Sequence, residues 1–110
     1  VNYPNLPGNK FHEMANKYTP KGTCGVISFD IKGGREKAMK LMDSMKLAAI
    51  CVHVADLRTC LLHPASTTHR QLTDEQLIES GITPGLVRFS VGIEDVEDII
   101  DDLKQALAQI

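Results

Sequence analysis

Val96, Ile99, Ile100, Leu103, Leu107 and Ile110 step along the end of the chain by 3, 1, 3, 4 and 3. That spacing follows the 3.6-residue period of a helix with one apolar stripe. Such a helix is stable only when its stripe is buried against another layer. The rest of the chain must therefore supply a complementary apolar surface. Glu94, Asp95, Glu97 and Asp98 crowd the first turns of this helix, where carboxylates complement its dipole. They read as a solvated helix start rather than a metal site.

The complementary layer is legible upstream. Cys24 to Ile31 is an apolar, β-branched run that predicts a strand, broken by Lys32-Gly33-Gly34. Ala38, Leu41, Met42 and Met45 fall at helical spacing and predict a helix over Arg35 to Lys46, its methionines serving as core filler. Ile50 to Val54 and Cys60 to His63 read as two short, hairpin-like strands. Thr73-Asp74-Glu75-Gln76 fits a capping box and predicts a helix from Asp74 to Ser80, stopped by Gly81. Leu86 to Val91 alternates as a strand. Residues 1–10 hold two prolines and three asparagines and read as an irregular lead-in, followed by a short helix from Phe11 to Tyr18.

The order helix, strand, helix, strand, strand, helix, strand, helix predicts an α+β fold: a small, mainly antiparallel sheet covered by helices on one face. The first strand–helix–strand unit is compatible with a parallel crossover. With no Trp, 3 Phe and 2 Tyr, the core must be largely aliphatic. Its expected members are Val26, Ile27, Phe29, Leu41, Met45, Ile50, Val52, Leu61, Val87, Phe89, Ile99, Leu103 and Leu107.

At 110 residues the chain is one domain's worth. Twelve basic against 14 acidic residues give a net charge of −2, which argues against a nucleic-acid module. The longest purely apolar run, Leu47 to Val52, is far short of the roughly 20 residues of a membrane span. No signal peptide is evident at the start, and Val1 fits a processed terminus or a cut from something longer equally well. Cys24, Cys51 and Cys60 show no zinc-ligand spacing and read as reduced thiols in a cytoplasmic protein.

Arg88 is the most informative single residue. Alternation turns it to the face opposite Val87 and Phe89, and a guanidinium inside a strand needs a partner. Two readings stand: a salt bridge to an acid such as Asp30 or Glu94, or recognition of a ligand carboxylate by the planar fork. In the polar stretch His63 to His69, the two imidazoles are expected to bond backbone and hydroxyl groups rather than a metal. Ser66 and His69 lack the G-x-S-x-G setting of a nucleophile–base pair. Gly33-Gly34 reads as a turn rather than a phosphate cradle.

His63-Pro64-Ala65-Ser66-Thr67-Thr68-His69-Arg70-Gln71-Leu72 and Leu86-Val87-Arg88-Phe89-Ser90-Val91-Gly92-Ile93-Glu94-Asp95 resemble a known family. So do Pro20-Lys21-Gly22, Val26 to Gly34 and Asp101 to Leu107. They are similar to the C-terminal domain of the fold-type-I pyridoxal-phosphate enzymes of cysteine and methionine metabolism, over nearly the whole chain from about Tyr18. Within that family the likeness points to the O-acetylhomoserine sulfhydrylases, which make homocysteine from O-acetylhomoserine and sulfide. Cystathionine γ-synthase, cystathionine γ-lyase and methionine γ-lyase are the near alternatives.

The resemblance implies that residues 1–17 are a lead-in and 18–110 a small domain. The large domain, with the Schiff-base lysine and most cofactor contacts, is then absent from this chain. It implies a cytoplasmic homotetramer as the full enzyme, an amino-acid substrate, and neither catalysis nor stable pyridoxal phosphate binding by these residues alone. Lys32 and Lys46 do not stand in the setting of the Schiff-base lysine. Arg88 stands where the family binds the substrate α-carboxylate. Thr59 stands where a serine hydroxyl usually lies near that carboxylate. Ala55 replaces a usual Gly and Cys60 a common Leu, which bears on the shape of the loop between them. The reading from another class is a stand-alone module in which Arg88 holds an anionic metabolite.

Overall fold

The computed structural model describes residues 1–110. Its elements are α1 (His12–Tyr18), β1 (Val26–Asp30), α2 (Gly34–Ser44), β2 (Ala49–Ile50), β3 (Cys60–Leu62), a 3₁₀ turn (Pro64–Ser66), α3 (Asp74–Glu79), β4 (Leu86–Ser90) and α4 (Val96–Leu107). The four strands form one sheet in the order β1-β4-β3-β2. β4 is antiparallel to both β1 and β3, as expected of a mainly antiparallel sheet. At the far edge β2 runs parallel to β3, with Ala49 opposite Cys60. This corrects the hairpin reading. A parallel neighbour must begin at the same end as its partner, so the chain leaves β2 at Ile50 rather than Val54. It loops back through residues 51–59. β1 and β2 therefore run in the same direction at opposite edges, and α2 carries the chain between them.

Register sorts the side chains into two faces. Ile27, Phe89 and Leu61 form one row, with Phe29 and Val87 beside them. α2 and α4 cover this face, and Ala38, Leu41, Met42, Ile99 and Ala106 complete the core. Of the methionines in this segment, Met42 is buried and Met45 packs against the cluster as filler, whereas Met39 is 43% exposed. The capping box at α3 is formed in both directions, Gln76 N donating to Thr73 Oγ1 and Thr73 N to Gln76 Oε1.

α4 is rotated relative to the expected stripe. Asp102 lies on its buried side and accepts from the backbone N–H groups of Lys46, Leu47 and Ala48 at 2.9, 2.8 and 3.0 Å, and from Gln105 Nε2. Burial disfavours its charge, but these donors outweigh burial and hold the carboxyl below its ordinary range. Because Asp102 must face inward, the line Ile99–Asp102–Ala106 meets the core, and Leu107 is 42% exposed. Leu103 is half-buried and lines an open apolar groove with Ile27, Phe29 and Phe89. Ile50 and Val52, also expected in the core, are 52% and 55% exposed, one on the edge strand and one in the loop that follows it.

Candidate functional site

The opposite sheet face carries Ser28, Arg88 and Leu62 in one row and Val26, Ser90 and Cys60 in the next. Arg88 is thus turned away from Val87 and Phe89, as alternation requires. Its Nη2 donates to the carbonyls of Val52 and His53 at 2.8 and 3.0 Å, so the guanidinium supports the 51–59 loop. Its Nε is buried with no partner. No acid pairs with it. Asp30 instead accepts from the Thr83 hydroxyl, and Glu94 from Thr59. The internal salt bridge is therefore not formed.

Thr59 is fully buried at the end of the loop. Its N–H donates to Glu94 Oε1 at 2.7 Å and its hydroxyl to Glu94 Oε2 at 2.8 Å, while the hydroxyl accepts from Gly92 N at 2.9 Å. The Thr59 N–H, with Glu94's own N–H and the Thr59 hydroxyl, holds the Glu94 carboxyl below its ordinary range. Gly92 has to be glycine for lack of space, because a Cβ there would strike the Thr59 nitrogen and the Arg58 backbone. From the sequence, Glu94 reads as one of the dipole-matched acids before α4 or as a partner for Arg88, not as the partner of Thr59. Its partner lies 35 residues away, and no local signal joins the two.

Within the loop, Asp56 accepts from Arg58 N, Nε and Nη2 and pairs with His53 Nδ1 at 3.0 Å. The Arg58 guanidinium, then its N–H, hold this carboxyl well below the usual range. Ala55 has φ +60°, a left-handed conformation in which a glycine carries no Cβ cost. The departure from glycine noted at this position therefore falls at a strained residue.

The histidines behave as the plainer account expects. Buried His63 faces the Ser66 hydroxyl through Nδ1 and the Pro84 carbonyl through Nε2, both at 2.8 Å. A carbonyl only accepts, so Nε2 carries a hydrogen. His69 bonds the Thr68 hydroxyl. Arg35, unremarked in the sequence, ties this stretch to α2 and α3 by donating to the Ala65 carbonyl and to Asp74 Oδ1. Gly33 and Gly34, at φ +110° and +69°, make the turn into α2.

Pyridoxal phosphate binds through an amine to its aldehyde, and the site lacks one. Lys32 and Lys46 are exposed, and neither is among the groups that Arg88, Thr59 and Glu94 engage. These residues do not by themselves fit that cofactor. What they offer is a guanidinium with spare donors beside a loop held at both ends.

Residues 1–108 match the model of the Cys/Met metabolism PLP-dependent enzymes, PLP being pyridoxal phosphate. The chain is 46% identical over its whole length to an O-acetyl-L-homoserine sulfhydrylase of Leptospira meyeri, of which it covers 25%. It is also 46% identical over its whole length to an L-methionine gamma-lyase of Fusobacterium nucleatum subsp. polymorphum, of which it covers 28%. A crystal structure from Campylobacter jejuni, assigned as an O-acetylhomoserine (thiol)-lyase and holding N'-pyridoxyl-lysine-5'-monophosphate, superposes with a TM-score of 0.85 at 40% identity. The match covers 97% of this chain and 25% of that one. The chain thus spans about a quarter of the length of the relatives it matches. With this agreement in sequence and in fold, the chain belongs to the Cys/Met metabolism family of PLP-dependent enzymes.

Proposed function

We propose that residues 18–110 are the small, substrate-clamping domain of a longer PLP-dependent transferase that makes homocysteine from O-acetylhomoserine and sulfide, with residues 1–17 as its lead-in. The observation that carries this reading is the state of Arg88. It is a mid-strand arginine with no acidic partner, steadied by two backbone carbonyls through one nitrogen, with Nε unsatisfied. Nη1 makes no bond, and a substrate α-carboxylate would take the donors that the loop carbonyls leave over in a charge-assisted contact. Fixing the carboxylate holds Cα in one orientation while protons move, which lowers the entropic part of the barrier.

Thr59 belongs to the clamp through its position. With its hydroxyl committed to Glu94 and Gly92, it holds the far end of the loop whose near end Arg88 supports. The cofactor's amine and phosphate contacts then come from the absent large domain, as do the cytoplasmic homotetramer and the amino-acid chemistry that the family likeness implies.

The second reading within the family is methionine γ-elimination, favoured by the Fusobacterium relative at equal identity. The stretch Ser66-Thr67-Thr68-His69-Arg70-Gln71-Leu72 favours the sulfhydrylase. Supplying the longer enzyme with O-acetylhomoserine and sulfide, and separately with methionine, tests the choice. Homocysteine formation as the faster reaction is expected. Faster release of a thiol from methionine would replace the first reading with the second. The chain alone is expected to lose all pyridoxal phosphate absorbance on dialysis. A stable stoichiometric adduct would show that it does not need another domain.

A further inference from the structure

The 51–59 loop begins at Cys51 and runs directly into Cys60, the first residue of β3. Because β2 and β3 lie parallel with Ala49 opposite Cys60, and Cys51 N donates to Leu61 O at 3.1 Å, Cys51 returns to the flank of β3. Its Sγ stands 3.0 Å from Cys60 Sγ, both residues being free thiols. A shift of about 1 Å brings the two sulfurs to the bonded distance of about 2.05 Å. Cys24 is exposed and precedes β1, at the other edge of the sheet.

We propose that Cys51 and Cys60 are a redox pair that closes reversibly to a disulfide by exchange with a low-molecular-weight disulfide, fastening the 51–59 loop onto β3. The two sulfurs have different parts. Cys60 is buried, and its thiol also donates to the Arg58 carbonyl at 3.3 Å. Burial, then the contact with Cys51, push it up to about 11, so it is a poor first nucleophile. Cys51 is only half-buried and meets the oxidant first.

In the first step Cys51 gives its proton to solvent, and its sulfur attacks one sulfur of the oxidant RSSR. The S–S bond of the oxidant breaks, and RS⁻ leaves and takes up a proton. In the second, Cys60 gives up its proton and attacks the Cys51 sulfur of the mixed disulfide, expelling the second RS⁻, which is protonated in turn. Two protein thiols are oxidised, one disulfide is reduced to two thiols, and nothing from the oxidant stays on the protein. The new bond fixes the residue immediately before Val52 and His53, whose carbonyls rest on Arg88. The inference stands on the sulfur geometry alone and does not depend on the reaction proposed above.

Trypsin provides a direct test, because it cuts after Lys21, Lys32, Lys46, Arg58 and Arg70. Cys51 then lies in peptide 47–58, Cys60 in 59–70 and Cys24 in 22–32. The folded protein is treated with oxidised glutathione, remaining thiols are alkylated with iodoacetamide, and the digest is weighed. The expected main product is 47–58 joined to 59–70, two hydrogen masses below the sum of the free peptides and lost on treatment with dithiothreitol. Peptide 22–32 is expected alkylated or carrying glutathione, and Cys24→Ser should leave the link intact. Three results overturn the proposal. One is recovery of both Cys51 and Cys60 alkylated, the second a lasting glutathione adduct on Cys51 beside an alkylated Cys60, and the third links spread among all three cysteines.

Discussion

Asp102 and Arg88 enter the fold from opposite sides of one sheet, and they are satisfied to different degrees. Asp102 receives three backbone N–H groups and a side-chain amide, which use the acceptor capacity of both its oxygens. Arg88 uses one nitrogen on two carbonyls and leaves Nε buried without a partner. A charge that serves the fold is saturated by the fold. A charge with donors left over is held in place by the fold and completed by something else. The helix-covered face therefore reads as structure and the loop-covered face as function.

The largest effect should come from the saturated side. Asp102→Ala strands three N–H groups after α2 and removes the tie between that segment and α4, so a loss of about 3 kcal/mol or more is expected. A urea titration followed by circular dichroism measures it. An unchanged midpoint would mean that water serves those N–H groups equally well, and the contrast with Arg88 would lose its basis.

Next in size is Arg88→Lys in the longer enzyme. Lysine keeps the charge but not the planar two-point contact. Losing a charge-assisted contact costs about 1.5–3 kcal/mol, roughly 10- to 150-fold in kcat/KM. Most of the loss should appear in KM, with part in kcat because a loosely held substrate reacts from poorer geometry. Stability should fall by less than about 1 kcal/mol, since only the two loop carbonyls lose a donor. Normal kinetics with a lowered melting temperature would place Arg88 on the structural side of the comparison.

The two faces were unequally legible in the sequence, for a physical reason. Local periodicity and capping announce α4, the box at Thr73–Gln76 and the outward turn of Arg88, because each depends on residues within about one turn or one pleat. Asp102 binds residues 54 to 56 positions away, and Thr59 binds Glu94 across 35. No local pattern encodes such pairings. The parallel run of β2 was hidden likewise, since the loop that makes it possible reads as two strands joined by a turn. One sign of Asp102 was available: it falls three residues after Ile99 and four before Ala106, on the line of α4 that meets the core.

Acid separates the two faces more gently. Asp102 and Glu94 are both held below their ordinary range. A carboxyl depressed in the folded state contributes stability that is fully present above its unfolded value of about 4 and is lost as pH falls through the folded value. Stability should thus be flat from pH 7 to about 5 and decline below about 4. Asp102→Asn should remove more of that decline than Glu94→Gln, because Asp102 is the more buried. Equal flattening by both variants, read from denaturant midpoints against pH, would show that the two faces share the load.

The smallest effect should come from the loop itself. Ala55 sits at φ +60°, where an L-residue carries a cost of about 1–2 kcal/mol from its Cβ against the carbonyl. Glycine removes that cost but loses about 0.4–1 kcal/mol through the greater freedom of its unfolded chain. Ala55→Gly should therefore stabilise by about 0.5 kcal/mol, a small rise in melting temperature. If the strain instead helps press Val52 and His53 onto Arg88, relieving it should also loosen the clamp. KM for the amino-acid substrate would then rise while stability improved. A stability gain with unchanged KM would confine the strain to the turn at Ala55 and leave Arg88 as the only residue on this face whose state the substrate completes.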